Sequence, residues 1–342
     1  MSKPPVNRRI VFASRPKGEL TLDAFRLETA EIPQPGKNQM LLRTLWLSLD
    51  PYMRTRLYET DSYMPGVKLG EVMVGGTVSR VEASNHPDFH VGDVVHLYAG
   101  WQDYTLSDGS DVIVKLPPGM NNPSWYLGAL GMPGFTAWYG LNKIGKPHVG
   151  ETLVVAAATG AVGQIVGQLA RQQGCRVVGI AGGATKCAYA TSQFGLDACI
   201  DRYAKDFPEQ LAAACPQGVD IYFENVGGAV FDAVMPLLNV GARIPVCGLI
   251  SHYSGGGMSD VDRLPGFLSK ALFKRLKIEG FIIFDHYPDF YAAFVRDMTL
   301  LIESGEMKLR EDVIDSLEAA PNGLIALLKG GNFGKVVVKV GD

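Results

Sequence analysis

The spacing of apolar residues divides the chain in two. From Asn7 to about Leu116 short apolar runs, among them Met40 to Leu47, Val72 to Val81 and Val91 to Tyr98, are separated by clusters of Gly, Pro, Asn and Asp. Runs of that length bounded by turn formers predict an irregular, mainly β domain. Leu116-Pro117-Pro118-Gly119-Met120 breaks the pattern, and the apolar stretch Trp125 to Leu141 that follows has helical length. After Gly150 the rhythm becomes strand, glycine turn, helix, strand: Thr152 to Ala158, about Ala161 to Gln173, then Arg176 to Ile180, continuing through Asp220 to Glu224 and Arg243 to Gly248. This alternation predicts a parallel sheet covered by helices. Pro245 fits poorly inside its strand, because it removes a ladder donor. Helical spacing returns over Phe290 to Ile302 and Leu317 to Leu328, and Lys335 to Val340 alternates as a closing strand. That strand is expected to rejoin the N-terminal β domain, since chain ends often lie close together.

Composition narrows the class. With 342 residues, 47% of them hydrophobic and 20% charged, the chain has the balance of a two-domain globular protein. Its 35 acidic and 32 basic residues give a net charge of −3 without blocks of one sign, so neither nucleic acid nor an anionic membrane is an expected partner. The early basic residues are followed only by a short apolar run at Ile10 to Ala13, which is not a signal peptide, and no apolar stretch approaches the roughly 18 residues of a membrane span. A soluble, cytoplasmic protein is expected. The five cysteines, at 175, 187, 199, 215 and 247, show no C-x-x-C pair and read as reduced, structural thiols.

The chemistry begins at Ala158-Thr159-Gly160-Ala161-Val162-Gly163, which follows a buried-type strand and opens a helix. Gly160 lets the backbone approach a pyrophosphate, Gly163 permits close packing, and the helix N-terminus offers N–H groups to the anion. Ala158 replaces the first glycine of the usual fingerprint; an ordinary strand-to-helix turn is the competing reading. About 20 residues on, where an NAD site carries Asp or Glu, the sequence is Gly179-Ile180-Ala181-Gly182-Gly183-Ala184-Thr185-Lys186. Without a carboxylate there, the small residues leave room for a 2′-phosphate that Lys186, and Arg202 beyond the third strand, can neutralise. The favoured cofactor is NADPH, against the alternative of Lys186 as a solvated helix-start residue.

Several ordered segments carry a family resemblance: Ala157 to Gly163, Phe223-Glu224-Asn225-Val226-Gly227-Gly228, Ala242 to Gly248, Leu49-Asp50-Pro51-Tyr52-Met53-Arg54 and Asn332-Phe333-Gly334-Lys335. Over nearly its whole length the chain resembles the zinc-free medium-chain dehydrogenase/reductases, in the leukotriene dehydrogenase and prostaglandin reductase branch, and within it the bacterial curcumin reductases. The resemblance implies an α/β fold: a GroES-like, mainly β domain over residues 1–128 completed by 310–342, a doubly wound Rossmann domain over 129–309, and a cleft holding NADPH in a homodimer. Carried over by position, Gly160, Ala161, Val162 and Gly163 hold the pyrophosphate, Lys186 the 2′-phosphate and Asn225 the ribose region. Cys247, Gly248, Leu249, Ser251 and Tyr253, with Phe281 and Ile283 from the stretch Phe281 to Tyr287, line the nicotinamide side, and Asn332 reaches the cofactor. Where many members have a tyrosine after the third strand, this chain has Arg202 with Tyr203 beside it.

Residues 1–85 contain neither Cys nor His, so the ligands of a catalytic zinc are missing where the superfamily needs them. His86 and His90 flank Pro87 and Asp88 in a turn-like sequence and read as a surface loop. Without a Lewis acid, hydride addition to the β-carbon of an enone is favoured over reduction of a plain ketone, because it yields a delocalised enolate that a hydroxyl can stabilise. Tyr253 is the first candidate for that hydroxyl, Tyr52 and Tyr63 the others; the competing reading for each is a packed ring with its hydroxyl in water. Gly255-Gly256-Gly257 reads as a flexible loop, a lid in the family's pattern. An enone small molecule is the expected substrate, with a zinc-free quinone reductase or a non-catalytic NADPH-binding regulator as alternatives.

Overall fold

The computed structural model describes residues 6–59, 63–254 and 263–341; the expected Gly255–Gly257 lid lies outside them. The chain forms two compact units, Met1–Gly128 with Glu311–Asp342, and Ala129–Arg310. The parallel sheet with helices and the separate mainly β unit are the α/β fold expected.

In the first unit β1 (Asn7–Phe12) and β2 (Phe25–Ala30) form an antiparallel pair. A larger sheet is built on β3 (Met40–Ser48), which pairs with β4 (Thr77–Ser84) and β6 (Tyr104–Ser107), while β5 (Val94–Leu97) links β4 to the short β7 (Val114–Lys115). Two register shifts between β3 and β4 send the residues of one strand into different cores. Met40 and Leu42 pack with Val81, Val95 and Leu97, whereas Leu47 and Leu49 pack with Phe12, Met53, Trp101 and Val338. The expected strand Val72 to Val81 is shorter: only Thr77 onward pairs continuously, because the glycines at 75 and 76 pass close to other side chains. At Gly75 a Cβ would stand 2.8 Å from Leu47 and 3.0 Å from Trp101.

In the second unit α1 (Met132–Tyr139) is flanked by irregular turns at Pro123–Leu127, in the first unit, and Gly140–Gly145. The single helix expected over Trp125 to Leu141 is therefore broken: Gly128 and Gly131 interrupt it, and Pro133 sits in the first turn of the new helix. Six parallel strands follow, β8 (Thr152–Ala156), β9 (Arg176–Ala181), β10 (Ala198–Asp201), β11 (Val219–Phe223), β12 (Leu238–Val246) and β13 (Lys277–Gly280). Connecting and covering them are α2 (Gly163–Gln172), α3 (Ala184–Ser192), α4 (Phe207–Ala214), α5 (Gly228–Val234), α6 (Leu264–Lys274) and α7 (Tyr287–Glu303). The order across the sheet is β10-β9-β8-β11-β12-β13, which reverses direction between β8 and β11. All five residues of β8 are buried, as a strand covered on both faces requires. Pro245 does lie within β12: its carbonyl accepts the Glu224 N–H at 3.0 Å, so the strand loses one donor and keeps its place.

Gln164 and Gln168, one turn apart on α2, bond the backbone of Arg310 and Lys308 through both ends of their amides, at 2.8–3.2 Å. The chain then returns to the first unit through β14 (Glu311–Asp315), α8 (Ala320–Leu328) and β15 (Lys335–Lys339). Strand β15 pairs in parallel with β14 and antiparallel with β3. Among the described residues no helix is long and apolar enough to cross a membrane.

One buried side chain makes the fold sensitive to acid. His96 on β5 is fully enclosed, and burial pushes its pKa from 6.5 down to about 4. It stays neutral in the fold, while in the unfolded chain it takes up a proton below about pH 6.5. The stability it contributes is thus complete above that pH and lost as pH falls toward about 4, by about 3 kcal/mol in all. Urea midpoints from pH 7 to 4 should fall less steeply for His96→Phe than for the wild type; parallel curves would show that other groups set the slope.

Candidate active site

Parallel strands place their following loops along one edge of the sheet, and a ligand site forms where the strand order reverses. Here that edge gathers the loops after β8, β9, β11, β12 and β13, which carry most of the sequence-predicted residues.

The turn after β8 is tight. Ala157 adopts φ +51°, and the Gly160 N–H donates to the Ala157 carbonyl at 2.8 Å. A Cβ on Gly163 would stand 2.2 Å from the same carbonyl oxygen, whereas at Gly160 the gap would be 3.2 Å. Gly163 is therefore obligatory for the turn, whereas at Gly160 a methyl would be tight against the carbonyl without overlapping it. Helix α2 starts at Gly163 rather than Ala161, so Ala161 and Val162 belong to the turn that leads to the helix N-terminus. Across the reversal, Asn225 donates its side-chain amide to the Ala156 carbonyl at 2.8 Å, joining the ends of β8 and β11.

After β9, Gly183 (φ +94°) leads into α3, whose first turn carries the half-buried Lys186. Asp201, at the end of β10, accepts the N–H groups of Gly183 at 2.8 Å and Tyr203 at 3.0 Å and so ties two loops together. The Arg202 guanidinium lies 4.2 Å from the Tyr203 ring centre and also reaches its hydroxyl. A Cβ on Gly182 would meet that ring at 2.9 Å. Arg202 and Tyr203 thus stand together over Gly182, one residue before the Gly183 that leads into the helix carrying Lys186.

Glu224 organises the next two loops. Its carboxyl is fully buried and accepts the N–H groups of Val226 (2.5 Å) and Gly227 (2.9 Å) and the Tyr222 hydroxyl (3.0 Å). Burial still leaves its pKa raised, and the Tyr222 hydroxyl is pushed up as well. The Glu224 carbonyl accepts from Cys247 at 2.9 Å and Gly248 at 3.2 Å, and Val226 C=O accepts the Ser251 hydroxyl at 2.6 Å. Tyr253 folds back over Gly248, where a Cβ would meet its hydroxyl at 2.9 Å, and accepts the Leu249 N–H at 3.3 Å. The Cys247 thiol is pushed up to about 12 by burial and the nearby Glu224.

Beside this loop a cavity of about 520 Å³ is lined by Cys247, Gly248, Glu279, Phe281, Asp285 and His286, among others. His286 stacks on Tyr139 with ring centres 3.9 Å apart, and Phe281 lies 5.8 Å from the same ring. Ile283 is buried and is not part of this lining. Tyr52, Tyr63 and Asn332 belong to the first unit: Tyr52 packs against its core, Tyr63 is 45% exposed, and Asn332 donates to the Gly334 carbonyl at 2.8 Å. Sequence reasoning missed the tying roles of Glu224 and Asp201. Both stand at strand ends, and Glu224 shortly precedes the glycine pair Gly227-Gly228.

The residues present suit a dinucleotide. The strand order, the tight glycine turn into the N-terminus of α2, and basic residues that follow small ones in sequence are what a phosphate-bearing cofactor needs. A zinc centre does not fit, since among the described residues no three His, Cys, Asp or Glu gather in a metal-binding group.

A family profile described as the N-terminal domain of oxidoreductase matches residues 8–114, and one described as zinc-binding dehydrogenase matches 161–298. The chain is 56% identical to NADPH-dependent curcumin reductase of Escherichia coli, covering 98% of this chain and 97% of that protein. It is 38% identical to the NADP-dependent 2-alkenal reductase of Nicotiana tabacum over 91% and 89% of the two chains. The crystal structure of CurA from Vibrio vulnificus in complex with NADPH superposes with a TM-score of 0.95 at 54% identity, over 98% and 99% of the chains.

Gly163→Ala should weaken NADPH binding at least tenfold and Gly160→Ala far less, because only the first places a methyl inside the Ala157 carbonyl. Fluorescence titration with NADPH measures both, and equal losses would show that the turn is not limited by this contact.

Proposed function

The chain belongs to the medium-chain dehydrogenase/reductase family, and on that premise we propose that it uses NADPH to reduce the carbon–carbon double bond of α,β-unsaturated ketones and aldehydes. The observation that carries this reading is full-length identity of 56% to a curcumin reductase, together with loops suited to the same cofactor. Bound NADPH supplies the hydride. The protein's part is to orient the enone and to stabilise the charge that moves to its carbonyl oxygen.

We assign the pyrophosphate to Gly160, Ala161, Val162 and Gly163, the 2′-phosphate to Lys186 with Arg202, the ribose region to Asn225, and the nicotinamide side to the Cys247–Tyr253 loop with Phe281. Ile283 serves as packing for that side, and Asn332 is a cofactor contact from the first unit. Tyr253 is the group assigned to the enone oxygen. The Leu249 N–H already donates to its phenol oxygen, and such a donor favours the negative charge left there when the proton departs. Tyr52 and Tyr63 are the substrate-side candidates of the first unit. The high pKa of Cys247 keeps it a thiol, and thus a poor nucleophile toward an electrophilic substrate. Five free cysteines suit a reducing compartment, and the cytoplasm is proposed as the location.

A second copy of the chain is the proposed partner. Strand β13 is an edge strand whose residues are all exposed, and α6, which precedes it, presents Leu264, Leu268 and Leu272 one turn apart at 58%, 54% and 71% exposure, with Phe273 at 71%. An open edge next to an apolar stripe is a site that self-association would cover. Light scattering after gel filtration should show a dimer that Leu272→Asp/Phe273→Asp converts to monomer; a monomeric wild type would refute the assignment.

NADPH consumption with linear enones, cyclic enones, quinones and diarylheptanoids, followed by product analysis, tests the activity. Reduced C=C bonds are expected; turnover of quinones alone would replace this reading. Tyr253→Phe should lower enone turnover by about 10²–10⁴-fold with NADPH affinity intact, and Lys186→Ala should raise the KM for NADPH far more than for NADH.

A further inference from the structure

The buried charges of the first unit include a closed pair. Lys335 opens β15 with a side chain only 3% exposed, and its ammonium donates to Ser48 Oγ at 2.7 Å, the Leu49 carbonyl at 2.8 Å and Asp50 Oδ1 at 2.9 Å. All three protons of the ammonium are committed. Asp50 accepts the Ser48 hydroxyl on its other oxygen. The two partners are 285 positions apart in the chain. The stem of Lys335 runs past Gly128, where a Cβ would come within 3.2 Å of its Cγ.

Asp50 occupies the N-cap of the short 3₁₀ helix Pro51–Leu57, where an aspartate ordinarily accepts a helix N–H, yet its side chain makes no capping bond. The carboxylate is turned to Lys335 instead. Stability alone does not call for this: desolvating each ion costs several kcal/mol, and buried pairs can often be replaced by apolar residues without loss. What the pair adds to the backbone pairing of β3 with β15 is a side-chain tie between two segments. One is the turn that begins with Pro51 and Tyr52; the other is the strand that starts three residues after Asn332, whose amide is itself tied to Gly334.

We propose that Lys335 and Asp50 are positioning residues for the reduction, their ion pair fixing the orientation of Tyr52. Neither touches the reacting atoms. The inference rests on the reading of Tyr52 as a substrate-side residue, and the test separates the two.

Lys335→Met, the charge-free pair Lys335→Met/Asp50→Asn, and Tyr52→Phe are compared by enone KM and kcat, NADPH Kd and Tm. Lys335→Met should lower Tm and raise the enone KM about tenfold or more, with the NADPH Kd changed less than twofold. The charge-free pair should regain most of the Tm while its enone KM stays high. Recovery of both would make the pair purely structural, and an NADPH Kd that rises with the KM would indicate general disruption; either result overturns the proposal. Should Lys335→Met not fold, the charge-free pair decides between these outcomes through the same enone KM and NADPH Kd. If Tyr52→Phe alters the kinetics and the Lys335 variants do not, the positioning role falls and Tyr52 stands. If Tyr52→Phe is silent, the reading of Tyr52 falls, and its orientation as the pair's purpose falls with it.

Discussion

The second unit depends on the meeting of β8 and β11, where the order of the sheet reverses. Each strand there is flanked on both sides, so its end cannot be shielded by a continuing crossover, and the two following loops must diverge. The Asn225 amide, donating to the Ala156 carbonyl, holds that gap at a fixed width. On one side of it the Ala157 carbonyl sits so close to α2 that only glycine fits at 163; on the other, Glu224 gathers the N–H groups of Val226 and Gly227 beneath the loop that leads to Tyr253.

Burying Glu224 is expensive, and its three accepted hydrogen bonds offset that cost. The arrangement gives rigidity where a reaction needs it: the backbone of Cys247 and Gly248 is suspended from the Glu224 carbonyl, and Ser251 from Val226. On the role proposed for Tyr253, its hydroxyl must be held to a fraction of an ångström, and a loop on its own is not that stiff. The strand-end carboxyl supplies the stiffness that the loop's glycines remove. In the first unit the same principle takes another form, with the Lys335 ammonium bonded to three oxygens of a segment far away in sequence.

Specificity for the cofactor divides between absence and presence. No carboxylate follows β9, and two cations stand near small residues. Arg202 pairs with Tyr203 above Gly182. The aromatic wall of Phe281, His286 and Tyr139 is of a different kind, since Tyr139 of α1 meets two rings of the β13–α7 connection only after folding.

Period and punctuation in the sequence determined the strands, the helices and the glycine turn, because local backbone preference and burial pattern act over a few residues. They also determined the absence of zinc ligands over residues 1–85 and of a ribose-binding carboxylate after β9, which are matters of residue type alone. Tertiary structure decided what depends on distant neighbours. It broke the expected helix over Trp125 to Leu141 at its glycines, kept Pro245 inside a strand by bonding its carbonyl to Glu224, and shifted the register of β3 so that one strand serves two cores. It also gave Glu224, Asp201 and the Asp50–Lys335 pair their places as ties between segments. The last of these bonds joins residues 285 positions apart, and neither spacing nor composition records such a meeting.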